Sequence, residues 1–129
     1  MSEFDARAKG WEDNPIHILR TEAIARGIRA RIPLSRSMRA LEVGCGTGLL
    51  SFALHEDLGT IVLTDTSEGM LDVLREKIKV AGITNMQPLR LDLLVDPPPP
   101  GLFDLIFLQM ALHHIPDVDA ILQIFHDLL

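Results

Sequence analysis

Three glycines at alternate positions, Gly44, Gly46 and Gly48 in the run Leu41-Glu42-Val43-Gly44-Cys45-Gly46-Thr47-Gly48, constrain this chain more than any other stretch. Glycine enters left-handed backbone without the Cβ penalty other residues meet, so the run permits a sharp turn that a ligand can approach closely. A short apolar strand at residues 40–43 leads into the turn, and Leu49, Leu50, Ala53 and Leu54 follow it at helical spacing. Strand, glycine turn and helix in that order open a parallel α/β unit whose ligands bind at the carboxyl ends of its strands.

The rest of the chain keeps the alternation. Ile61, Val62 and Leu63 predict a strand over residues 60–64, apolar enough to be buried on both faces of a parallel sheet, with Asp65 at its end. Met70, Leu71, Leu74, Ile78 and Ala81 trace one stripe of a helix over residues 67–81, and Gly82 stands where a C-terminal glycine cap belongs. A third strand is expected over residues 86–91, ending at Asp92; Pro88 has no N–H for a ladder, which assigns that strand to an edge. Asp96 and the prolines of residues 97–100 make a stiff extended connection to a fourth strand at residues 103–108.

Helices flank this series. Asn14-Pro15 opens one that carries Ile16, Leu19, Ala23, Ile24 and Ile28 and stops before Pro33. Asp117 caps another, with the stripe Val118, Ile121, Leu122, Phe125 and Leu128. Four strands alternating with helices imply an α/β fold, a parallel sheet covered by helices on both faces.

Composition narrows the functional classes. A chain of 129 residues, 47% hydrophobic and 23% charged, reads as a single globular domain over residues 1–129. No apolar run approaches the roughly 20 residues a membrane helix needs, and the first residues lack the order of a signal peptide; the expected location is cytoplasmic, without membrane association. A net charge of −6 speaks against nucleic-acid partners. Arg26, Arg29, Arg31, Arg36 and Arg39 form a local basic run, which we read as a solvated helix face and loop. The single cysteine, Cys45, leaves no internal disulfide and no multi-cysteine zinc site, and no metal is expected. Its place in a crowded turn suits a small residue better than a nucleophile.

Two cofactor classes use such a turn. A dinucleotide fingerprint, G-x-G-x-x-G, needs glycine at position 49, where this chain has Leu49, so a nicotinamide-dependent oxidoreductase is disfavoured. Asp65 follows Gly44 by 21 positions, at the end of the next strand, where a carboxylate can accept both ribose hydroxyls of an adenosine.

In chain order, LEVGCGTG, TDTSEGML, LRLDLL and FDLIFLQMALHHIPD resemble the motifs of class I S-adenosylmethionine-dependent methyltransferases, in particular the small ubiquinone- and menaquinone-biosynthesis methyltransferases. The likeness covers essentially the whole chain. It implies a Rossmann-like three-layer α/β/α sandwich, S-adenosyl-L-methionine as cofactor and a small-molecule methyl acceptor. By this resemblance Gly44, Cys45, Gly46 and Gly48 line the methionine and adenosine side, and Glu42 supports the ligand's ammonium. Asp65 takes the ribose, with Thr66, Ser67 and Met70 beside the adenine; Asp92 meets the adenine amino group and Leu93 packs on the ring. Gln109, Met110, Ala111 and His114 face the methionine end, and Phe4 and Trp11 help cover the ligand.

The implied chemistry is displacement of a sulfonium methyl, in which alignment of two reactants supplies much of the acceleration and a base is not always needed. Where the acceptor must lose a proton, His113 or His114 can receive it; His114 is the candidate base. Family members usually carry seven strands, so the resemblance further implies an N-terminal portion, truncated after the fourth strand and its helix. Leu105, Ile106, Phe107 and Leu108 then form an apolar edge expected to self-associate. The alternative is a module that binds S-adenosylmethionine without turnover.

Overall fold

The computed structural model describes residues 15–108 and 118–129. Strands β1 (Arg39–Val43), β2 (Thr60–Asp65), β3 (Met86–Arg90) and β4 (Leu105–Phe107) pair in parallel in the order β3-β2-β1-β4. Helices α1 (Pro15–Arg31), α2 (Leu49–Leu54), α3 (Glu68–Ala81) and α4 (Val118–Leu128) cover the sheet. The strands step outward from β1 to β3, then β4 returns to the other side of β1. The reversal beside β1 is the place where open parallel sheets leave a crevice at the strand ends.

Strand side chains point alternately to opposite faces, and the burial follows. Ala40, Ile61, Leu63, Met86 and Phe107 pack with Ala25, Leu50, Leu54, Leu71 and Leu74, which puts α1, α2 and α3 on one face. Leu41, Val62, Leu93 and Phe103 pack with Ile121, Phe125 and Leu128, which puts α4 on the other. Both faces are therefore dry, and the three-layer α/β/α sandwich stands as expected. Each fully buried leucine of the two cores contributes roughly 1.5–3 kcal/mol over an exposed one.

Local sequence accounts for the borders. The Ser67 hydroxyl accepts the Met70 N–H at 3.2 Å and caps α3. At the other end Gly82 turns left-handed at φ 67, and its N–H reaches the Ile78 and Lys79 carbonyls. Pro88 sits opposite Leu63 in β3, the outer strand of the sheet, as its missing N–H required.

Several details differ from the sequence reading. β4 is three residues long rather than six: the Phe103 N–H leaves the sheet for the Leu128 carbonyl at the end of α4, and only from Asp104, whose N–H meets the Arg39 carbonyl of β1, does the chain bond to β1, both at 2.8 Å. Ile16 and Leu19 are 52% and 64% exposed. The face α1 buries runs through Thr21 and Ala25, flanked by Ile24 and Ile28. Leu122 is exposed on α4, and Ile124 packs into the core instead.

The basic run is partly spent on structure. Arg29 donates to the Asp57 carboxylate at 2.8 Å and to the Ala53 carbonyl, while the Arg39 guanidinium lies 4.0 Å over the Phe103 ring and bonds the Leu102 carbonyl. No described helix is long and apolar enough to cross a membrane.

Candidate cofactor-binding site

The loop leaving β1 is held in left-handed backbone at all three glycines, with φ of 66° at Gly44, 57° at Gly46 and 83° at Gly48. Backbone bonds fold it back on the sheet: the Cys45 N–H donates to the Thr64 carbonyl and the Gly48 N–H to the Cys45 carbonyl, each at 2.9 Å. Gly48 is also where α2 begins, and a Cβ there would stand 2.5 Å from Leu74 Cδ1. The third glycine is thus set by helix packing as well as by φ. Among the described residues a Cβ on Gly46 would meet only Met70 Sδ, at 3.9 Å, so these residues leave the outer side of the turn open.

Asp65 ends β2 directly beside this loop. One carboxylate oxygen accepts the Gly46 N–H at 2.8 Å and the other the Ser67 N–H at 2.9 Å, tying the glycine turn to the start of α3. A carboxylate has about four lone-pair positions, so each oxygen keeps capacity for a ligand hydroxyl. Met70 closes the space from α3, and Thr66 is exposed at the rim. Glycine turn, Asp65, Thr66 and Met70 are brought together at the carboxyl ends of β1 and β2.

Beneath the turn lies a buried polar group. Glu42, 1% exposed, accepts the Ser51 hydroxyl at 2.6 Å. Burial raises its pKa from 4.5 to about 8, a rise the nearby Asp65 charge assists and the Ser51 bond and Lys77 oppose. Glu42 therefore holds its proton well above the usual carboxylate range even with Lys77 nearby. The Thr47 hydroxyl is buried in this same turn without a hydrogen-bond partner among the described residues, and Lys77 Nζ donates to the Thr47 carbonyl at 2.8 Å. Burial likewise pushes the Cys45 thiol upward, away from the thiolate form.

The other expected residues divide. Asp92 follows β3 in a turn of its own: its Oδ1 accepts the Leu94 N–H at 3.0 Å and its N–H donates to Asp96 Oδ2 at 2.9 Å. Leu93 is buried in the α4-side core with Val62, Phe103 and Ile121, so its side chain is committed to packing. Gln109, Met110, His114, Phe4 and Trp11 are outside the described residues. Among the described residues no cluster of three or more metal-ligating side chains occurs.

Sequence reading missed Thr47, Ser51 and Lys77. One signal was available for the last: position 77 shares the stripe of Met70 and Leu74, so a lysine there sits on the packed face of α3.

Comparison with known proteins agrees with this architecture. The chain is 34% identical over 131 residues to a ubiquinone biosynthesis O-methyltransferase of Xylella fastidiosa (strain 9a5c), covering 95% of this chain and 51% of that protein. It is 30% identical over 102 residues to a demethylmenaquinone methyltransferase of Geobacillus kaustophilus (strain HTA426), covering 77% and 44%. It thus spans about half the length of the curated relatives it matches. Among solved structures, a Methanococcus maripaludis protein described as an S-adenosyl-L-methionine-dependent methyltransferase superposes with a TM-score of 0.81 at 23% identity, covering 97% of this chain and 59% of that one, a likeness of fold. Residues 40–129 match the family model described as a methyltransferase domain, from β1 to the end of α4, and this chain belongs to that family.

Proposed function

We propose that this chain binds S-adenosyl-L-methionine at the β1 glycine turn, as the cofactor-holding part of a methyltransferase that acts on a small-molecule acceptor. The observation that carries the reading is the union of Asp65 with Gly46: a carboxylate with spare lone pairs stands at the edge of a backbone turn whose open side has room for a ligand. The residues fit an adenosine with a charged amino-acid tail. Asp65 is assigned to the ribose hydroxyls, and Thr66 and Met70 to the flank of the adenine. Gly44, Cys45, Gly46 and Gly48 present backbone along the tail. Glu42, a buried acid with one hydroxyl partner, is assigned to the tail's ammonium, which would favour its ionised form.

Asp92 and Leu93 are assigned to the far side of the adenine, Leu93 by backing it from the core. Gln109 and Met110 are assigned to the methionine end, and His114 to a proton leaving the acceptor. When bound, the cofactor supplies a methyl group on a cationic sulfur, open to in-line displacement. What this chain contributes is alignment, a turn and carboxylate already bonded together before the ligand arrives. The names of the Xylella and Geobacillus relatives favour a small acceptor of quinone biosynthesis over a macromolecule. A single buried thiol agrees with a cytoplasmic location.

Calorimetric titration with S-adenosylhomocysteine tests the site without knowledge of the acceptor. Saturable 1:1 binding is expected. Asp65→Ala should weaken it by about 1.5–3 kcal/mol, the range of a charge-assisted hydrogen bond. A folded protein that takes up no ligand refutes the reading. Binding with no methyl transfer to quinol acceptors identifies a non-catalytic binding module instead.

A further inference from the structure

The glycine turn has little stiffness of its own: three of its residues are glycines, and α2 behind it is only six residues long, too short to hold its position by helix propensity. Its position depends on tethers. On the ligand side the tether is Asp65 to the Gly46 N–H, and this is the carboxylate assigned to the ribose. On the opposite side Lys77 reaches from α3, its Nζ donating to the Thr47 carbonyl at 2.8 Å while lying 4.4 Å over the Phe52 ring of α2. The second tether is independent of the groups the ligand would engage, and it adds a side-chain hold to the backbone bond from the Cys45 N–H to the Thr64 carbonyl.

We propose that Lys77 is a positioning residue of the cofactor site, its ammonium fixing the Thr47 carbonyl of the glycine turn and bringing a positive charge to the side of the turn where Glu42 is buried. The inference rests on the cofactor reading of the turn. Glu42 is faced by the Ser51 hydroxyl from α2, Asp65 from β2, the Cys45 thiol from the turn and Lys77 from α3, with Phe107 of β4 opposite in the sheet register. Lys77 is the cation of that set. Burial and then Asp65 oppose ionisation of Glu42, the Ser51 bonds favour it and Lys77 adds to them, so the side chain that steadies the turn also eases ionisation of the acid assigned to the ligand's ammonium.

The test compares wild type with Lys77→Met, Lys77→Gln, which keeps a donor without the charge, and Lys77→Arg. Two readouts are taken on each. The first, side-chain carboxyl NMR of Glu42 in ligand-free protein, needs no cofactor: the wild-type midpoint is expected near about 8 and should move upward in Lys77→Met and Lys77→Gln but not in Lys77→Arg. The second, S-adenosylhomocysteine affinity, should fall about tenfold in Lys77→Met and recover most of that in Lys77→Arg. Wild-type affinity in Lys77→Met overturns the proposal. So does weaker binding with an unmoved Glu42 midpoint, since a purely structural lysine gives that result. Wild-type protein that binds no S-adenosylhomocysteine refutes the cofactor reading, and the positioning role with it, even where the midpoint moves.

Discussion

Gly46, Gly48 and Gly82 share left-handed backbone and differ in the space around them, so alanine at each separates conformational strain from crowding. Among the described residues a Cβ on Gly82 would meet nothing within 4 Å, and one on Gly46 only Met70 Sδ at 3.9 Å. Both substitutions therefore carry the left-handed penalty alone, roughly 1–2 kcal/mol. A Cβ on Gly48 would stand 2.5 Å from Leu74 Cδ1 and 3.4 Å from Leu63 Cδ2. Leu74 is a flexible side chain, but it and Leu63 are both fully buried and have no open space to enter. The overpacking adds about 1–3 kcal/mol, for a total of about 2–5 kcal/mol at Gly48. Against a native stability on the order of 5–15 kcal/mol that is a large fraction. Urea denaturation followed by circular dichroism reads the three variants on one scale. Gly48→Ala within 1 kcal/mol of Gly82→Ala, a gap smaller than about the least overpacking cost, would refute the claim that helix packing sets the third glycine. Gly46→Ala should resemble Gly82→Ala in stability yet bind S-adenosylhomocysteine less tightly, because its new methyl enters the open side of the turn.

Glu42 gives one further expectation. With a folded pKa of about 8 against an ordinary 4.5, Glu42 keeps in the native state a proton that the unfolded chain releases within that window. Native stability accordingly falls as pH rises from about 4.5 to about 8, by on the order of 1 kcal/mol per pH unit. Glu42→Gln should flatten that slope in urea midpoints taken across the window; an unchanged slope sinks the assignment.

The alternation of strands and helices was legible because each element carries its own period. Ile61, Val62 and Leu63 read as a doubly buried strand, and Met70, Leu71 and Leu74 as a helix stripe, from spacing alone. The residues that misled are those whose environment is set by another element. Leu122 fits the α4 period as well as Ile124 does, and only the angle at which α4 meets the sheet decides between them. Phe103 reads as strand, yet its N–H is drawn to the end of α4 and its ring to Arg39. No local pattern encodes either outcome.

The site shows the same division, with a clearer cause. Glycine and acid are visible as residue types, but the spacing between Gly44 and Asp65 does not bring them into contact; the strand register does. Val43 pairs with Thr64, so the Cys45 N–H continues the ladder onto the Thr64 carbonyl, and the next N–H, that of Gly46, meets the Asp65 carboxylate. A slip of one residue between β1 and β2 would turn Asp65 to the opposite face and take the Ile61 and Leu63 side chains out of their core. The hydrophobic pattern that holds the sheet in register is thus the same pattern that aims the carboxylate. Lys77 and Ser51 fall outside this logic, because they reach the turn from helices whose docking the strand pattern does not specify, and Thr47 is singled out only by the Lys77 that meets its carbonyl.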